Sequence, residues 1–336
     1  MPGKGRVMSH RYVRMVCRVA WVVLAWAYPA AAAGPARGPT DGSTIAPGPA
    51  GRPAFAPSEK GAKGEYTFDT GALSGVLRRG GRSSGINALT ESSTKAQVAG
   101  GFGIFSLYRI LSAEARYGSA AWDWPSTSQA LGDGAVSVDW PAQADRPFTL
   151  RGVYRWSDAN TMDLEVEVRA DTALPTFEVF LASYFSGFPA SFAYVGKPPG
   201  SASPGFMEAV KTGGAWQAFP RDDAAAALIQ DGRWKRPPHP VTWTIMPHYA
   251  APVAIRRDQR TGLAAVIMAP PEDCFAVLMP FGEEGHRSVY LSLLGRDLKK
   301  DETARARARL VVGKNLTDQD AIELFSKYRK GQGKAP

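Results

Sequence analysis

Cysteine is scarce in this sequence, which contains only Cys17 and Cys274. We predict that Cys17 is removed with an N-terminal segment, so that the mature chain keeps one thiol. One thiol excludes an internal disulfide and any zinc site made of several cysteines. Cys274 begins an apolar run, Cys274–Met279, where a buried and unreactive thiol is expected. Stability must therefore come from an extensive apolar core.

Long apolar runs are scarce as well, and the run near the N-terminus, Val19–Tyr28, has ten residues. A membrane-spanning helix needs about 20. The run precedes the small residues Ala30–Ala33, and it follows five basic residues and no acidic one: Lys4, Arg6, Arg11, Arg14 and Arg18. This pattern is typical of a secretory signal peptide, here residues 1–33. We expect an exported protein, periplasmic or extracellular, without a stable membrane anchor.

A strong charge of one sign is also absent from the predicted mature chain. The full chain has a net charge of +9, and the signal peptide carries five basic residues and no acidic one, which leaves about +4 (9 − 5) for the predicted mature chain. The clusters Arg78–Arg82 and Arg256–Arg257 come without zinc-finger spacing or a basic helix, so no nucleic-acid partner is predicted. There is no His-Glu-x-x-His motif and no P-loop, and we predict no cofactor and no metal ion. A three-histidine site would require His239, His248 and His286 to converge.

Large apolar residues are rare between residues 34 and 63, where Gly, Pro, Ala and Ser predominate and Ile45 and Phe55 are exceptions. Such a segment cannot bury enough surface to offset its ordering entropy, which predicts a disordered tether. We expect a folded β-sandwich domain over residues 64–313. A C-terminal helix and a basic tail are expected over residues 314–336.

What the sequence has in abundance is alternation of apolar and polar residues. Thr161–Ala170 alternates strictly and predicts a half-buried strand, and Phe148–Trp156 completes a hairpin with it. A second hairpin is predicted over Leu263–Phe281, with Pro270–Asp273 as its turn. The strand Thr303–Leu310 is expected to place three arginines on a solvent face. Further strands are predicted at Tyr66–Phe68, Gly75–Arg79, Ile104–Leu111, Ala135–Trp140, Thr176–Phe185, Val241–Met246 and Val289–Leu294.

Helices are few. Asp222–Gln230 has an acidic cap and an alanine-rich body, and Thr317 with Asp320 forms a capping-box pattern that opens a helix to about Arg329. No fixed repeat is present, which disfavours a propeller or a solenoid. The predicted fold is therefore mainly β, a large antiparallel two-sheet sandwich with few short helices.

Four segments carry a resemblance to a known superfamily: Gly100–Arg109, the hairpin Phe148–Ala170, Tyr290–Asp297, and the polar turn Lys300–Thr303 before the last strand. In pattern they resemble the galactose-mutarotase-like β-supersandwich of many carbohydrate-active proteins. The resemblance implies this fold over roughly residues 65–313 and a carbohydrate ligand.

The same resemblance does not carry a catalytic mechanism. Aldose mutarotases of this superfamily resemble one another in a mid-chain pair of histidines and a late glutamate. Here no histidine lies between His10 and His239. Either the chemistry of this chain differs from mutarotation, or it has none.

Aromatic residues beside charged ones give the main indication of function. They occur in Trp122–Pro125, Trp216–Asp222 and Asp231–Trp234. Sugars present a C–H face that indole rings cover and hydroxyls that charged side chains bind. The predicted substrate-binding residues are Trp122, Trp124, Trp216, Arg233, Trp234 and Tyr249. An isolated tryptophan is more often a core residue, so the prediction depends on convergence of these segments.

Candidate catalytic residues are His248, at the end of a predicted strand, and His286, at the start of another. Either could transfer protons, and Arg221 and Asp222 could stabilise charge beside them. A pair of carboxylates acting as a glycosidase is a further alternative, drawn from Asp123, Glu165, Glu178, Asp222 and Asp231. Three hypotheses therefore stand: an enzyme that acts on an oligosaccharide by acid–base chemistry, a non-catalytic carbohydrate-binding or envelope module, and a structural sandwich that binds another protein.

Overall fold

The structure is a computed structural model that describes residues 51–59 and 61–332. The predicted signal peptide, residues 1–33, lies outside the described residues. So do residues 34–50 of the predicted tether and residues 333–336 of the basic tail. Among the described residues, no helix combines the length and the apolar character that crossing a bilayer requires.

Nineteen strands and two α-helices make up the described part of the chain. In chain order they are β1 (Ala56–Pro57), β2 (Tyr66–Asp69), β3 (Leu73–Arg78), β4 (Gly85–Glu91), β5 (Ser106–Leu111), β6 (Thr127–Ala130), β7 (Val136–Trp140), β8 (Phe148–Trp156), β9 (Thr161–Ala170), β10 (Leu174–Tyr184), β11 (Ala190–Val195), β12 (Gly205–Glu208), β13 (Trp216–Pro220), α1 (Asp223–Gln230), β14 (Thr244–Ile245), β15 (Tyr249–Asp258), β16 (Leu263–Met268), β17 (Cys274–Pro280), β18 (Ser288–Leu298), β19 (Thr303–Lys314) and α2 (Asp318–Gln332).

The strands form three sheets. A nine-stranded sheet has the order β12-β11-β15-β16-β19-β9-β8-β7-β6, and a six-stranded sheet has the order β14-β13-β17-β18-β10-β5. A four-stranded sheet, β1-β2-β3-β4, contains the first strands of the described chain. Apart from the parallel pair β13–β14, neighbouring strands in the sheets are antiparallel.

The two large sheets bury one common core, which confirms the predicted β-sandwich. In β9 the apolar residues of the alternating pattern, such as Leu164 and Val166, are 1% exposed. They join Val179 of β10 and Leu291 of β18 in a single apolar cluster. The predicted hairpin of β8 and β9 forms with Phe148 opposite Ala170 and Trp156 opposite Met162.

Each large sheet is also covered on its outer face. Helix α2 packs Ala321 and Tyr328 into a cluster with residues of β15, β16 and β19 on the nine-stranded sheet. On the six-stranded sheet, a second cluster combines Ala225 and Ile229 of α1 with Trp234 and residues of β10, β17 and β18. The six-stranded sheet is therefore buried on both faces along much of its length.

The predicted second hairpin is wrong. Strand β16 pairs with β15 and β19 in the nine-stranded sheet, whereas β17 pairs with β13 and β18 in the six-stranded sheet. The turn Pro270–Asp273 therefore connects two sheets rather than two paired strands. Both strands are buried along their whole length, and an apolar run of that kind carries no information about its partner.

The folded part begins earlier than residue 64. Phe55 is 3% exposed and packs against Phe68 and Trp156, with ring centres 5.5 and 6.4 Å away. Ala56–Pro57 pairs with β2. One large apolar residue thus suffices to anchor the end of the segment that was predicted to be a disordered tether.

The arginine face of β19 is only partly a solvent face. Arg305 is exposed and pairs with Glu167. Arg309 instead lies over the ring of Tyr328 at 4.4 Å and binds Asp163, with 2.6 Å between Nε and Oδ1. Helix α2 covers Arg309. The alternation of residues within β19 shows which residues share a face, but not that a helix packs on that face. The helix itself was predicted correctly, and Thr317 and Asp320 form its capping box.

Candidate functional site

An aromatic cleft of about 430 Å³ lies on the outer face of the six-stranded sheet. Its walls come from strands of this sheet and from segments that cross them. We call it the aromatic cleft, and its lining residues are Phe102, Tyr108, Arg109, Trp122, Phe180, Tyr184, Trp216, Trp234, His239, Pro240, Val241, Trp243, His286 and Tyr290.

The floor of the cleft follows from alternation along β10 and β18. Val179 and Leu181 of β10 point into the main core, so Phe180 and Tyr184 point to the opposite face. Tyr290 of β18 lies beside Phe180, with nearly parallel rings whose centres are 4.6 Å apart. Tyr184 and Tyr290 are buried, which raises the pKa of both phenols and keeps them protonated at neutral pH.

The walls of the cleft are tryptophans from β13 and from segments outside the strands. Trp234 and Trp243 pack edge to face with ring centres 5.4 Å apart, and Trp216 meets Trp243 in the same way at 5.8 Å. Trp122 stacks on Tyr108 at 4.4 Å with only 9° between the rings. Phe102 stands at the mouth with 43% of its surface exposed. The cleft therefore offers several flat ring faces.

The polar groups of the cleft are few. Arg109 is 4% exposed and lies between the rings of Tyr108 and Trp234, at 5.1 and 5.0 Å. His286 is exposed beside Trp216, and its Nδ1 is 2.7 Å from Oε1 of Glu284. Within the described ranges 51–59 and 61–332, no aspartate or glutamate lines the cleft.

A buried ion pair fastens the tryptophan wall to the sheet. Arg233 donates from Nη1 to Oε2 of Glu178 at 3.1 Å and from Nη2 to Oδ2 of Asp231 at 2.8 Å. The Arg233 side chain also binds the backbone carbonyl and the hydroxyl of Thr176. Burial raises the pKa of Glu178, while Arg233 and a hydrogen bond from Ser292 act to lower it. These contacts fix the position of the adjoining Trp234.

Four of the predicted site residues meet in the cleft: Trp122, Trp216, Trp234 and His286. They come from three of the aromatic segments and one histidine that the sequence indicated. The carbohydrate hypothesis depended on Trp122, Trp216 and His248 sharing one concave site; the two tryptophans line the cleft, whereas His248 does not.

Four other predicted residues lie together at the N-terminus of α1, away from the cleft lining. Asp222 accepts a hydrogen bond from the Ala225 backbone N–H and pairs with Arg221 at 2.8 Å. Arg221 and the capped helix N-terminus lower the pKa of Asp222. His248 is exposed and lies 3.2 Å from Asp223, and Tyr249 donates its hydroxyl proton to the carbonyl of Cys274. The predicted placement of His248, Asp222, Arg221 and Tyr249 in the same cleft as the tryptophans is wrong.

The last two predicted residues are buried and structural. Arg233 is 1% exposed and is fully engaged by the ion pair described above. Trp124 is 8% exposed and packs against Phe148, with the Arg146 guanidinium 4.5 Å from its ring centre. Neither side chain lines the aromatic cleft.

Sequence reasoning missed the residues that the sheet itself contributes to the cleft. Tyr108, Arg109 and Tyr290 lie in segments that were interpreted as strands and as part of the fold resemblance, and Phe180 lies in a segment that was predicted only as a strand. Trp243 was placed in a predicted strand, yet only Thr244–Ile245 is paired there. An aromatic residue in a mainly apolar strand could have marked these positions, but alternation alone does not distinguish the two buried faces.

Two other chemical possibilities find no support in the described part of the chain. Gly81–Gly85 has the Gly-x-Ser-x-Gly spacing of a nucleophile elbow, but Ser83 is 1% exposed and its hydroxyl bonds the carbonyl of Ser84 and the hydroxyl of Ser106. No group of three or more His, Cys, Asp or Glu residues among residues 51–59 and 61–332 could hold a metal ion.

Comparison with known proteins finds no match to a family model and none to a curated protein. Among solved structures, the chain is similar to a putative aldose 1-epimerase from Escherichia coli K12, with 11% identity and a TM-score of 0.45 over 74% of this chain and 99% of that one. It is similar to a galactose mutarotase-like protein from Lactobacillus casei, with 10% identity and a TM-score of 0.44 over 74% of this chain and 100% of that one.

A third similar structure is an α-galactosidase from Geobacillus stearothermophilus, with 8% identity and a TM-score of 0.44 over 78% of this chain and 41% of that chain. What each name says of activity describes that protein.

Proposed function

We propose that the protein binds an oligosaccharide in the aromatic cleft. The observation that carries the proposal is the convergence of the half-buried faces of Trp122 and Trp216 with the rings on the floor of one concave site. Pyranose rings present C–H groups that pack on such faces, and their hydroxyls can bond the phenols of Tyr184 and Tyr290. The cleft volume lies in the range of about 300–1,000 Å³ that is typical of small-molecule sites.

The surroundings of the cleft favour a ligand of several sugar units. A depression of about 700 Å³ adjoins it and shares Trp122. Another, of about 440 Å³, shares Phe102, Tyr184 and His286 on a different side. A chain of sugars could therefore continue from the cleft into either depression, whereas a single sugar would leave these surfaces unused.

Binding is favoured over catalysis because the cleft lacks the groups that common glycoside chemistry requires. A glycosidase needs two carboxyl groups facing the substrate, and among the described residues none lines the cleft itself. Glu65, Asp123 and Glu284 line only the adjoining depressions. The one proton-transfer pair at its edge is His286 with Glu284, 2.7 Å apart. That pair supports a second candidate, an enzyme acting on the same ligand with His286 as acid or base.

A glycan-array screen followed by calorimetry on the hits tests the proposal. We expect Trp216→Ala and Trp122→Ala each to weaken binding about tenfold, the equivalent of about 1.4 kcal/mol, because each removes a stacking face. Phe206→Ala is the matched control, since Phe206 is a half-buried aromatic residue on the nine-stranded sheet. Glycan binding that is unchanged in both tryptophan variants would exclude the cleft.

The same ligands separate binding from catalysis. Chromatography of each bound glycan after long incubation is expected to recover it unchanged. Conversion that is lost in His286→Ala and kept in His248→Ala would instead establish the second candidate, because His248 lies outside the cleft.

We also propose that the protein is exported, on the basis of the basic, apolar and small-residue order of residues 1–33. Expression of the full chain in a bacterial host, with fractionation and intact-mass measurement, checks this. The expected product begins near Gly34 and is found outside the cytoplasm. Leu24→Arg, which interrupts the apolar run, is the control that should remain uncleaved. An exported product that retains residues 1–33 would contradict cleavage.

A further inference from the structure

Arg109 is a buried cation on the wall of the aromatic cleft. It belongs to β5, and only 4% of its surface is exposed. Two ring faces enclose its guanidinium, that of Tyr108 at 5.1 Å and that of Trp234 at 5.0 Å. Cation–π contacts of this kind offset only part of the cost of burying a charge.

The hydrogen bonds of Arg109 are incomplete. Its Nη2 donates to the carbonyl of His239 at 2.8 Å and makes a long contact of 3.5 Å with the Tyr108 hydroxyl. Its Nε is buried without a partner, and Nη1 has no protein acceptor among the described residues. Buried polar groups normally find a partner, so these donors require an explanation.

Two other buried arginines show how this chain satisfies a guanidinium that has a purely structural role. Arg256 is 0% exposed, and its three nitrogens donate to backbone carbonyls, among them those of Phe188 and Ser288. Arg233 pairs with two carboxylates. Arg109 has neither arrangement, although all three side chains are buried to a similar degree.

The surroundings of Arg109 also lack a countercharge. Among the described residues, no carboxylate lines the cleft. A charged group close enough to interact with Arg109 is another cation, Arg116, whose guanidinium is held by backbone carbonyls that include those of Arg236 and Ser119. Burial and, next, the charge of Arg109 lower the pKa of Arg116 to about 10. The described lining of the cleft therefore contains the Arg109 cation without a carboxylate to neutralise it.

We propose that the sugar held in the aromatic cleft carries an anionic group and that Arg109 binds this group. The inference rests on the proposed carbohydrate function and names the class of glycan. A guanidinium forms two parallel hydrogen bonds to a carboxylate or an ester sulfate, and the unused donors of Arg109 together with the missing countercharge fit such a partner. The stacked rings then bind the sugar plane while the guanidinium selects its charge.

The test compares an oligouronate with its methyl ester, which has the same rings without the charge. We expect the wild-type protein to bind the acid at least about tenfold more tightly by calorimetry, with a preference that shrinks as salt is added. The third ligand is an oligosaccharide of neutral sugars that carries ester sulfates. If it binds tightly and the oligouronate does not, the anion site is supported and its ligand is a sulfate ester. Equal affinity of wild-type protein for all three ligands would overturn the inference.

Variants locate the charge recognition. Arg109→Gln should bind the acid and the ester equally, and Arg109→Lys should keep a reduced preference because it keeps the charge without the fork geometry. Arg236→Gln is the matched control, since Arg236 binds the carbonyl of Ser112 and does not line the cleft. A preference that survives in Arg109→Gln, or one lost only in Arg236→Gln, would contradict the assignment.

Failure of this inference is distinguishable from failure of carbohydrate binding. If the ester binds as tightly as the acid and Trp216→Ala weakens the binding of both, the cleft binds sugar and the proposed anion site is wrong. If neither ligand nor any array glycan binds, the function itself is wrong. Calorimetric melting of each variant identifies loss of folding, and the wild-type comparison of acid with ester needs no variant.

Discussion

At the residue scale, Arg233 shows how a buried charge can shape a site without touching its ligand. The residue lies within three positions of Asp231 along the chain, but its other partners, Thr176 and Glu178, are on β10. Glu178 and Arg233 have fully buried side chains. The pair holds the segment that carries Trp234 against the sheet, which makes Arg233 a positioning residue for the cleft.

Replacing Arg233 with methionine should lower the free energy of unfolding by about 3–5 kcal/mol, because it leaves Glu178 buried without its cation. The loss should depend on pH. Burial raises the pKa of Glu178, and without Arg233 the carboxyl will take up a proton on folding. The Arg233→Met variant is therefore most stable below the pKa of Glu178 in the unfolded chain, about 4.3. Its free energy of unfolding declines as pH rises through the pKa of Glu178 in the folded protein. Urea unfolding at pH 5 and pH 8 measures this.

Two further variants control for this prediction, one that replaces an exposed arginine and one that removes the charge of Glu178. Arg221→Met removes a half-exposed ion pair and should cost no more than about 1 kcal/mol. Glu178→Gln in the Arg233→Met background should recover part of the stability lost at pH 8. A destabilisation that is the same at both pH values, with no recovery, would show that charge burial is not its cause.

Sequence reasoning at this scale identified the right residue types and gave several of them the wrong role. Arg233 and Trp234 are neighbours, and one is enclosed while the other lines the cleft. The difference arises from Glu178, which is 55 positions away in sequence. Similarly, Asp222 was expected to act on a ligand, and the helix cap that it forms was already visible in the sequence as an acidic residue before an alanine-rich run.

At the scale of elements, β1 and the residue before it join the four-stranded sheet to the rest of the molecule. Phe55 packs on Phe68 of β2 and on Trp156 of β8, and its backbone N–H donates to the carbonyl of Gly134 at 3.2 Å. The two-residue strand β1 and the buried aromatic residue before it therefore contact two sheets.

Truncation of this aromatic side chain tests whether the segment belongs to the fold. Phe55→Ala should lower the free energy of unfolding by about 3–5 kcal/mol, as is typical when a buried phenylalanine is replaced and leaves a cavity. Arg52→Ala, an exposed change in the same segment, should have an effect within about 0.5 kcal/mol. Urea unfolding provides both values. A loss below about 1 kcal/mol for Phe55→Ala would return residues 51–59 to the predicted tether.

Elements were predictable where one face is buried and the other is not. Strand β9 alternates between buried and more exposed residues and was predicted to the residue. Strands β16 and β17 are buried throughout, so their sequences identified strands without identifying neighbours. Strand β15 was missed because Pro252 and the small residues around it interrupt both the alternation and the apolar run.

At the scale of the whole molecule, the two-sheet sandwich could be predicted because many segments repeat the same periodicity. The aromatic cleft could not, since it depends on which strands become neighbours. Its rings come from β5, β10, β13 and β18 and from segments outside the strands, spread from Phe102 to Tyr290. The sequence indicated which segments were rich in tryptophan, but only the order of strands in the six-stranded sheet brings Trp122 and Trp216 to one site.

The distribution of tryptophans also gives the molecule an optical property. Trp122, Trp216, Trp234 and Trp243 surround the cleft, whereas Trp140 and Trp156 are enclosed in the sandwich core. Indole fluorescence responds to the polarity of its surroundings. A molecule that enters the cleft therefore changes the emission of the cleft tryptophans, and the emission of Trp140 and Trp156 serves as an internal reference. The protein thus carries its own fluorescent reporter of occupancy, without any attached dye.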